Sequence, residues 1–221
     1  MDRSFKKMLG LPLFQGLTTE ELSELVGHTK IDFVKLNPGE VIVGEGSRVD
    51  QLRLLTDGKI MSTATVDNHS FKVEEMFDAP FVLQPERLFG LSQHYDRCFS
   101  AVTACSMLSI GKQDVVRLST TFPVFRINLL NIICSSAQRA EQKLWRSWPS
   151  DLPGRAVRFF EQHCLRPAGE KHFHIKIETL AQQLGDSTLN TSRALHSLQK
   201  RQLIVMSRGR IIIPALEELL G

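Results

Sequence analysis

The chain has 221 residues, of which 42% are hydrophobic and 23% are charged, with 14 Gly and 9 Pro. This composition is that of a globular protein and excludes a disordered or collagen-like chain. The length allows one large domain or two small ones. The longest apolar runs are far shorter than a membrane helix requires, and the N-terminal stretch contains no small-residue cleavage site, so we expect a cytoplasmic protein.

The net charge of +3 comes entirely from one end of the chain. Residues 1–150 carry 17 Lys and Arg and 17 Asp and Glu, whereas residues 151–221 carry ten and seven. A basic segment that follows a neutral one indicates a module that binds polyanions. The four cysteines, Cys98, Cys105, Cys134 and Cys164, form no CxxC pair. Zinc-ribbon and thioredoxin-like sites are therefore not supported, and we expect free thiols.

The N-terminal half predicts two short helices followed by a β-rich domain. A first helix is expected over Phe5–Leu9, and the sequence Thr18-Thr19-Glu20-Glu21 predicts a capped helix that runs through Val26. Short strand-like runs then alternate with Gly, Pro and Asn turns at a spacing of about ten residues, which favours a β-sandwich or β-roll. The expected strands are Phe33–Leu36, Val41–Val43, Leu52–Leu55, Lys59–Met61, Lys72–Val73 and a closing strand over Ala101–Ile110.

From Phe122 to Trp145 the hydrophobic period becomes helical. Its residues at heptad positions a and d are Leu130, Ile133, Ala137, Ala140 and Leu144. A second apolar face, formed by Phe125, Leu129 and Ile132, is expected to pack on the β-domain. Two apolar faces on one long helix favour a homodimer seam, although a buried helix in a monomer remains an alternative.

The sequence from Leu180 to Thr188 predicts a helix-turn-helix. Leu180 and Leu184 form an apolar i, i+4 pair, and Ala181 is the small residue at which two helices can cross closely. Gly185 is suited to the left-handed turn that ends the first helix, and Ser187 can cap the second. The helical wheel places Thr191, Ala194, Leu195 and Leu198 toward the core.

The opposite face of the second helix is polar and basic, without an acidic residue. Such a face is suited to the major groove of DNA, and a following strand pair with an arginine-bearing turn predicts a wing. An amphipathic helix pair with solvated charges is the alternative. The candidate DNA-binding residues are Ser187, Thr188, Leu189, Asn190, Ser192, Arg193, His196, Lys200, Arg208 and Arg210.

The order of these parts resembles the Crp/Fnr family of bacterial transcription regulators over essentially the whole chain. The matching residues are Leu13-Phe14-x-x-Leu17, Asn37-Pro38-Gly39-Glu40, Glu45-Gly46, Leu54-Leu55-x-x-Gly58, Ala104-Cys105, and Leu180-Ala181 through Arg193-Ala194-Leu195. The resemblance implies an α+β chain that forms a homodimer, binds a near-palindromic promoter site on double-stranded DNA and contacts RNA polymerase. We expect an antiparallel, jelly-roll-like β-roll effector domain over residues 1–121, a dimerisation helix over 122–147 and a winged helix-turn-helix domain over 148–221.

The sequence departs from the family in the cassette that holds cyclic nucleotides. Family members present Gly-Glu and, further on, Arg-Ser/Thr-Ala, whereas this chain has Pro85-Glu86 and places Tyr95 near the expected Arg. Pro85 has no N–H to offer a phosphate. We therefore expect no binding of cyclic AMP, and the effector remains unknown. The residues of a possible effector pocket are Leu83, Glu86, Arg87, Leu88 and Arg97.

The second helix of the predicted helix-turn-helix also departs from the family pattern, because Thr188 and Leu189 stand where many members present Arg-Glu. A different DNA sequence should therefore be read.

Other kinds of site have little support. No cysteine precedes Cys98, so the N-terminal iron–sulfur cluster of some family members is not expected. His163, Cys164, His172 and His174 have spacings that a metal site could use, but a solvated strand face is the preferred interpretation, and we expect neither metal nor cofactor. The sequence contains no GxSxG or HExxH motif, and the protein is not expected to be an enzyme.

Two further functions remain open: a regulator without a small-molecule effector, and a signalling or scaffold protein that does not bind DNA.

Overall fold

The computed structural model describes residues 8–66 and 68–220, in which seven helices and eleven strands are present. The predicted helix at Phe5–Leu9 lies mostly outside this range, as does Asp67 of one predicted turn. The helices are α1 (Thr19–His28), α2 (Lys112–Thr121), α3 (Pro123–Trp145), α4 (Leu152–Gln162), α5 (Ile177–Leu184), α6 (Thr188–Lys200) and α7 (Leu216–Leu220). The strands are β1 (Ile31–Leu36), β2 (Val41–Val43), β3 (Gln51–Asp57), β4 (Lys59–Thr65), β5 (Lys72–Asp78), β6 (Phe81–Leu83), β7 (Cys98–Ala101), β8 (Cys105–Gly111), β9 (Lys171–His174), β10 (Val205–Ser207) and β11 (Arg210–Ile213).

The described chain forms two compact units, which are not contiguous in sequence. The first contains residues 8–60, 78–96 and 100–144, and the second contains the described residues of 61–77, 97–99 and 145–220. The predicted boundaries after residues 121 and 147 divide the chain into contiguous parts. In the structure, the β4–β5 segment belongs to the second unit, where β5 forms an antiparallel ladder with β9 and Val73 lies opposite Phe173.

The first unit is built around an antiparallel four-stranded sheet with the order β1-β8-β3-β6. Ile110 lies opposite both Ile31 and Leu52, so the register places these side chains together. The expected closing strand Ala101–Ile110 is two strands, β7 and β8, separated by a turn at residues 102–104. Gly58 has a φ of 89°, and a Cβ there would lie 2.5 Å from the Ala104 carbonyl oxygen. Only glycine is compatible with position 58, because of this positive φ and the lack of room for a Cβ.

Helix α1 begins as the sequence predicts. Thr18 Oγ1 accepts from the Glu21 amide at 3.2 Å, and the Glu21 carboxylate accepts from the Thr18 amide at 2.8 Å. This is a complete capping box.

Helix α3 spans 23 residues, about 35 Å at 1.5 Å per residue. Phe125 and Leu129 are buried, and the Phe125 ring lies 5.9 Å from that of Phe14, which confirms one of the two predicted faces. The heptad stripe is not covered within this chain: Leu130 is 48% exposed and Leu144 is 80% exposed. The sequence did not predict α2, which precedes this helix.

The second unit has its own hydrophobic core. The core joins aromatic residues of α4 to β9, and the ring centroids of Phe160 and Phe173 are 4.8 Å apart. Strand order in this unit is β10-β11-β9-β5-β4-β7. A buried charge cluster lies in the same core: Glu75 on β5 accepts from Lys171 Nζ on β9 at 2.9 Å and from Arg97 at 3.2 Å. The side chains of Glu75 and Lys171 are both 0% exposed.

Candidate nucleic-acid interface

Helices α5 and α6 are joined by the predicted tight turn. Gly185 has a φ of 64° and ends α5, and the Asp186 amide donates to the Ala181 carbonyl at 3.0 Å. Ser187 then caps α6, because its Oγ accepts from the Asn190 amide at 3.2 Å. The structure thus confirms the turn role predicted for Gly185 and the capping role predicted for Ser187.

An arginine from a third helix holds this turn. Arg155 on α4 donates to the Leu184 carbonyl at 2.9 Å and to the Asp186 carboxylate at 2.7 Å. The Asn190 side chain also donates to Asp186, at 2.9 Å. Hydrogen bonds from the Asn190 amide group and the Ser187 N–H, with a contribution from Arg155, lower the pKa of Asp186 below its ordinary value. Asn190, a candidate DNA-contact residue, therefore uses its side chain in the turn. Sequence reasoning missed Arg155 and Asp186, which belong to no recognisable pattern.

The two faces of α6 are divided as the helical wheel predicts. The buried residues are Thr191, Ala194, Leu195 and Leu198. Thr188, Leu189, Arg193, His196 and Lys200 are exposed, and Ser192 is partly exposed. Leu189 is 61% exposed. The exposed side of α6 carries two fixed positive charges and no acidic group, so it is suited to a polyanion.

His196 is oriented by its own helix. Its Nδ1 lies 2.7 Å from the Ser192 carbonyl oxygen, an acceptor, so Nδ1 carries the proton. Nε2 is therefore the ring nitrogen left for contacts away from the helix.

Strands β10 and β11 form a hairpin after α6, with Val205 opposite Ile212 and Ser207 opposite Arg210. Gly209 in the turn has a φ of 71°. Arg208 is exposed at the tip, whereas Arg210 is only partly exposed.

Arg210 is bound within the unit. Its Nη2 lies 2.7 Å from His172 Nδ1. Because a guanidinium only donates, His172 Nδ1 accepts and its Nε2–H donates to Glu170 at 2.6 Å. Arg210 is therefore less available for a phosphate than Arg208.

The residues of the possible effector pocket lie in two units. In the first unit, Leu83 and Leu88 are each 1% exposed, and Pro85 and Glu86 belong to a short 3₁₀ helix, Pro85–Arg87. Arg87 Nη2 donates to the Asp96 carboxylate at 2.6 Å, and the Gln84 side chain donates to the same carboxylate at 2.6 Å. Arg97 belongs to the second unit and pairs with Glu75.

These residues do not fit a cyclic nucleotide. Pro85 has no amide hydrogen to offer a phosphate, and the Arg87 guanidinium is occupied by Asp96. Tyr95, at the position near which the family presents arginine, is 2% exposed, and burial raises the pKa of its phenol. A neutral buried phenol cannot replace a guanidinium as a phosphate ligand.

The histidines on β9 are not on a solvated face, contrary to the sequence-based interpretation. His172 is 8% exposed, and His174 Nε2 lies 2.8 Å from a Glu74 oxygen. Each of these two rings is bonded to a carboxylate, that of Glu170 for His172 and that of Glu74 for His174. Across residues 8–66 and 68–220, no group of three or more His, Cys, Asp or Glu side chains is placed to hold a metal ion. Within the same residues, no helix is both long and apolar enough to cross a bilayer.

Comparison with solved structures relates this architecture to known proteins. The sensor domain of the transcriptional regulator DNR from Pseudomonas aeruginosa aligns with a TM-score of 0.51 and 16% identity, covering 67% of this chain and 95% of that one. A transcriptional regulator from Thermotoga maritima aligns with a TM-score of 0.50 and 15% identity, over 56% and 95% of the two chains. The catabolite activator protein of Thermus thermophilus aligns over 95% and 96%, with 19% identity and a TM-score of 0.49.

Over the part of the chain that the first two alignments cover, the fold is the one that the Crp/Fnr resemblance implies. No protein-family model matches the sequence, and no curated protein matches it. The likeness therefore rests on structure and concerns the fold, an α+β arrangement with antiparallel sheets. Both of those solved chains are described as parts of transcriptional regulators.

Proposed function

We propose that the protein is a sequence-specific DNA-binding transcription regulator of the Crp/Fnr type, in which α5, α6 and the β10–β11 hairpin form a winged helix-turn-helix. The exposed face of α6 carries this proposal. Its core-facing residues are buried against the second unit, which fixes the helix, while Arg193, His196 and Lys200 remain outside. A scaffold protein that does not bind DNA has no physical need for such a face.

The proposal divides the candidate residues by role. Arg193 is the residue on the reading face whose guanidinium can bind guanine bidentately, with Thr188, Leu189 and Ser192 toward neighbouring bases. Arg208 on the exposed hairpin tip serves a phosphate, and His196 and Lys200 add backbone contacts. Ser187 and Asn190 already use their side chains in hydrogen bonds of the turn. Any contact that they make with DNA would use the hydrogen-bonding capacity that remains on these side chains. Arg210 orients the hairpin through His172.

A homodimer on a near-palindromic site is the expected assembly. The a and d stripe of α3 leaves Leu130 and Leu144 exposed within one chain, and pairing with a second α3 would remove both from water. Two copies of α6 would then read two half-sites. The contact with RNA polymerase follows from the family resemblance.

The cassette of the first unit should not bind cyclic AMP. Arg87 and Gln84 are already bonded to Asp96. Calorimetry with cyclic AMP should give no saturable heat, and a micromolar isotherm would contradict this assignment. Control by abundance or by a partner protein remains the alternative mode of regulation.

Selection of bound duplexes from a random library, followed by anisotropy titrations, tests the DNA-binding proposal. The selected sites should be near-palindromic. Arg193→Ala should weaken binding to the selected site by about 1–3 kcal/mol, through the loss of one base-pair contact per half-site. Arg208→Ala is the matched control, because it should weaken selected and random duplexes alike and reduce the salt dependence. Enrichment of no sequence at all would contradict sequence-specific binding.

A further inference from the structure

A cavity of about 390 Å³ lies within the second unit, at the end of α6 opposite the reading residues. Its wall combines the segment before α4, the C-terminal end of α6 and helix α7. Leu198 and Arg201 line it, and they follow Arg193 by five and eight residues. The volume lies within the range of small-molecule sites.

Part of the lining is apolar. Val157 on α4 and Leu219 and Leu220 on α7 contribute to it, together with Leu198. Leu198 and Leu219 are buried at 1% and 6% exposure, so this surface is part of the core of the unit. An apolar group inserted there would gain contact with surface that is already organised.

The charged lining has an excess of positive charge. Arg146, Arg158 and Arg201 are present with two carboxylates, those of Asp151 and Glu161. Glu161 is shared: one oxygen accepts from Arg146 at 2.5 Å and the other from Arg158 at 2.6 Å. Asp151 is already used, because its carboxylate caps α4 by accepting from the Gly154 amide at 3.1 Å. One further anionic group would balance the three guanidinium groups.

Arg158 and Glu161 are fixed charged groups in the wall of this cavity, which is open to the surface. The Arg158 side chain is 4% exposed and that of Glu161 is 6% exposed, so both charges are held out of water. Arg146, at 60% exposure, and the exposed Arg201 are the more accessible arginines of the lining. Charge-assisted hydrogen bonds from a guanidinium to a carboxylate are stronger in such a partly desolvated place than in open water.

We propose that this cavity binds a small amphipathic carboxylate, with the apolar body on Leu198, Leu219 and Val157. The carboxylate would accept from Arg201 and from the nitrogens of Arg146 other than Nη1, which Glu161 already uses. The position suits an effector, because the ligand would touch the last turn of α6 without covering its reading face. This regulatory role rests on the proposed DNA-binding function, whereas the binding site itself does not.

Octanoate is the probe, with octylamine and 1-octanol as analogues of equal chain length. Calorimetry on the full-length protein should show saturable binding of octanoate, and much weaker or no binding of the cationic and neutral analogues. Arg146→Gln and Arg201→Gln should each weaken the binding of octanoate by about tenfold. This is the effect of losing one hydrogen bond to a charged group. Arg208→Gln is the matched control, an exposed arginine of the same unit that does not line the cavity, and it should leave the affinity unchanged.

Filling the cavity provides a second test. Val157→Phe should abolish octanoate binding, and its melting curve must show a cooperative transition for the result to be used. If that variant does not fold, the comparison of octanoate with octylamine on the unaltered protein decides the question. Binding of octylamine as tight as that of octanoate, no saturable binding of octanoate, or an octanoate affinity unchanged in both arginine variants would overturn the proposal. DNA affinity is measured separately, so normal DNA binding without octanoate binding would reject the cavity site alone.

Discussion

Removing the Glu75 carboxylate should cause a large loss of stability in the second unit. Glu75 accepts from Lys171 Nζ at 2.9 Å, from Arg97 at 3.2 Å and from the Leu165 amide at 2.8 Å. In Glu75→Ala, the Lys171 side chain, at 0% exposure, loses its carboxylate acceptor. Breaking a buried ion pair from one side costs about 3–5 kcal/mol. The unpaired Leu165 amide adds about 1 kcal/mol or more, although the two costs are not additive.

Urea unfolding followed by far-UV circular dichroism measures this change, because the second unit contains the helices α4, α5, α6 and α7. We expect a loss of about 4 kcal/mol for Glu75→Ala. The control Glu218→Gln removes an exposed carboxylate of the same unit and should change the free energy of unfolding by less than about 0.5 kcal/mol.

A double variant separates charge from packing. Glu75→Leu with Lys171→Met removes both buried charges and should recover at least half of the loss, since replacing a buried pair by apolar groups is often neutral. If Glu75→Ala were as stable as Glu218→Gln, the cluster would contribute nothing, and the ladder between β5 and β9 would have to be held by its backbone and aromatic contacts alone.

Two further predictions follow from α3 and from the turn before α6. Ile133→Asp would place an unpaired charge in the proposed seam and should give monomers in light scattering, whereas an unchanged dimer would remove this stripe from the interface. Asp186→Asn should lower the free energy of unfolding at neutral pH, because the folded-state pKa of Asp186 is depressed and its contribution is therefore present above its unfolded pKa. The difference between Asp186→Asn and the unaltered protein should disappear as the pH falls from about 4 through the lower folded-state pKa. A difference that persisted unchanged below that range would show that Asp186 acts through something other than its charge.

The predictions that succeeded depend on local rules. The capping box at Thr18, the left-handed turn at Gly185 and the buried face of α6 each follow from spacing over four to eleven residues, and the structure confirms all three. Strand ends differ by up to five residues, as with β5, which the sequence predicts over Lys72–Val73 and which runs to Asp78. Such ends are set by pairing with a neighbour, which a single sequence does not show.

The features that the sequence did not predict involve contacts between distant segments. Val73 on β5 and Phe173 on β9 are 100 residues apart, and nothing in their own surroundings indicates a ladder. The same pairing places Glu75 opposite Lys171, so the charge cluster is also invisible from sequence. Asn190 and Arg210 stay candidate DNA-contact residues. Their bonds to Asp186 and His172 depend on partners that a helical wheel does not contain.

Leu189 provides the most specific test of how the proposed interface reads DNA. It is 61% exposed at the first turn of α6, beside Thr188 and four residues before Arg193. An exposed leucine is by itself common on protein surfaces. On a face that reads the major groove, however, the apolar feature it can contact is the methyl group of thymine. Selected half-sites should then contain a T on the Leu189 side of the G that Arg193 binds. Replacing that thymine by uracil removes only the methyl group, and we expect a loss of about 1 kcal/mol in anisotropy titrations. In Leu189→Ala, the same replacement of thymine by uracil should cause no loss of DNA affinity, because the side chain that contacts the methyl group is absent. The four affinities form a double-mutant cycle across the interface. Equal affinity for thymine and uracil in the unaltered protein would mean that Leu189 is an ordinary surface residue, and that base reading at this end of α6 depends on Thr188 and Arg193 alone.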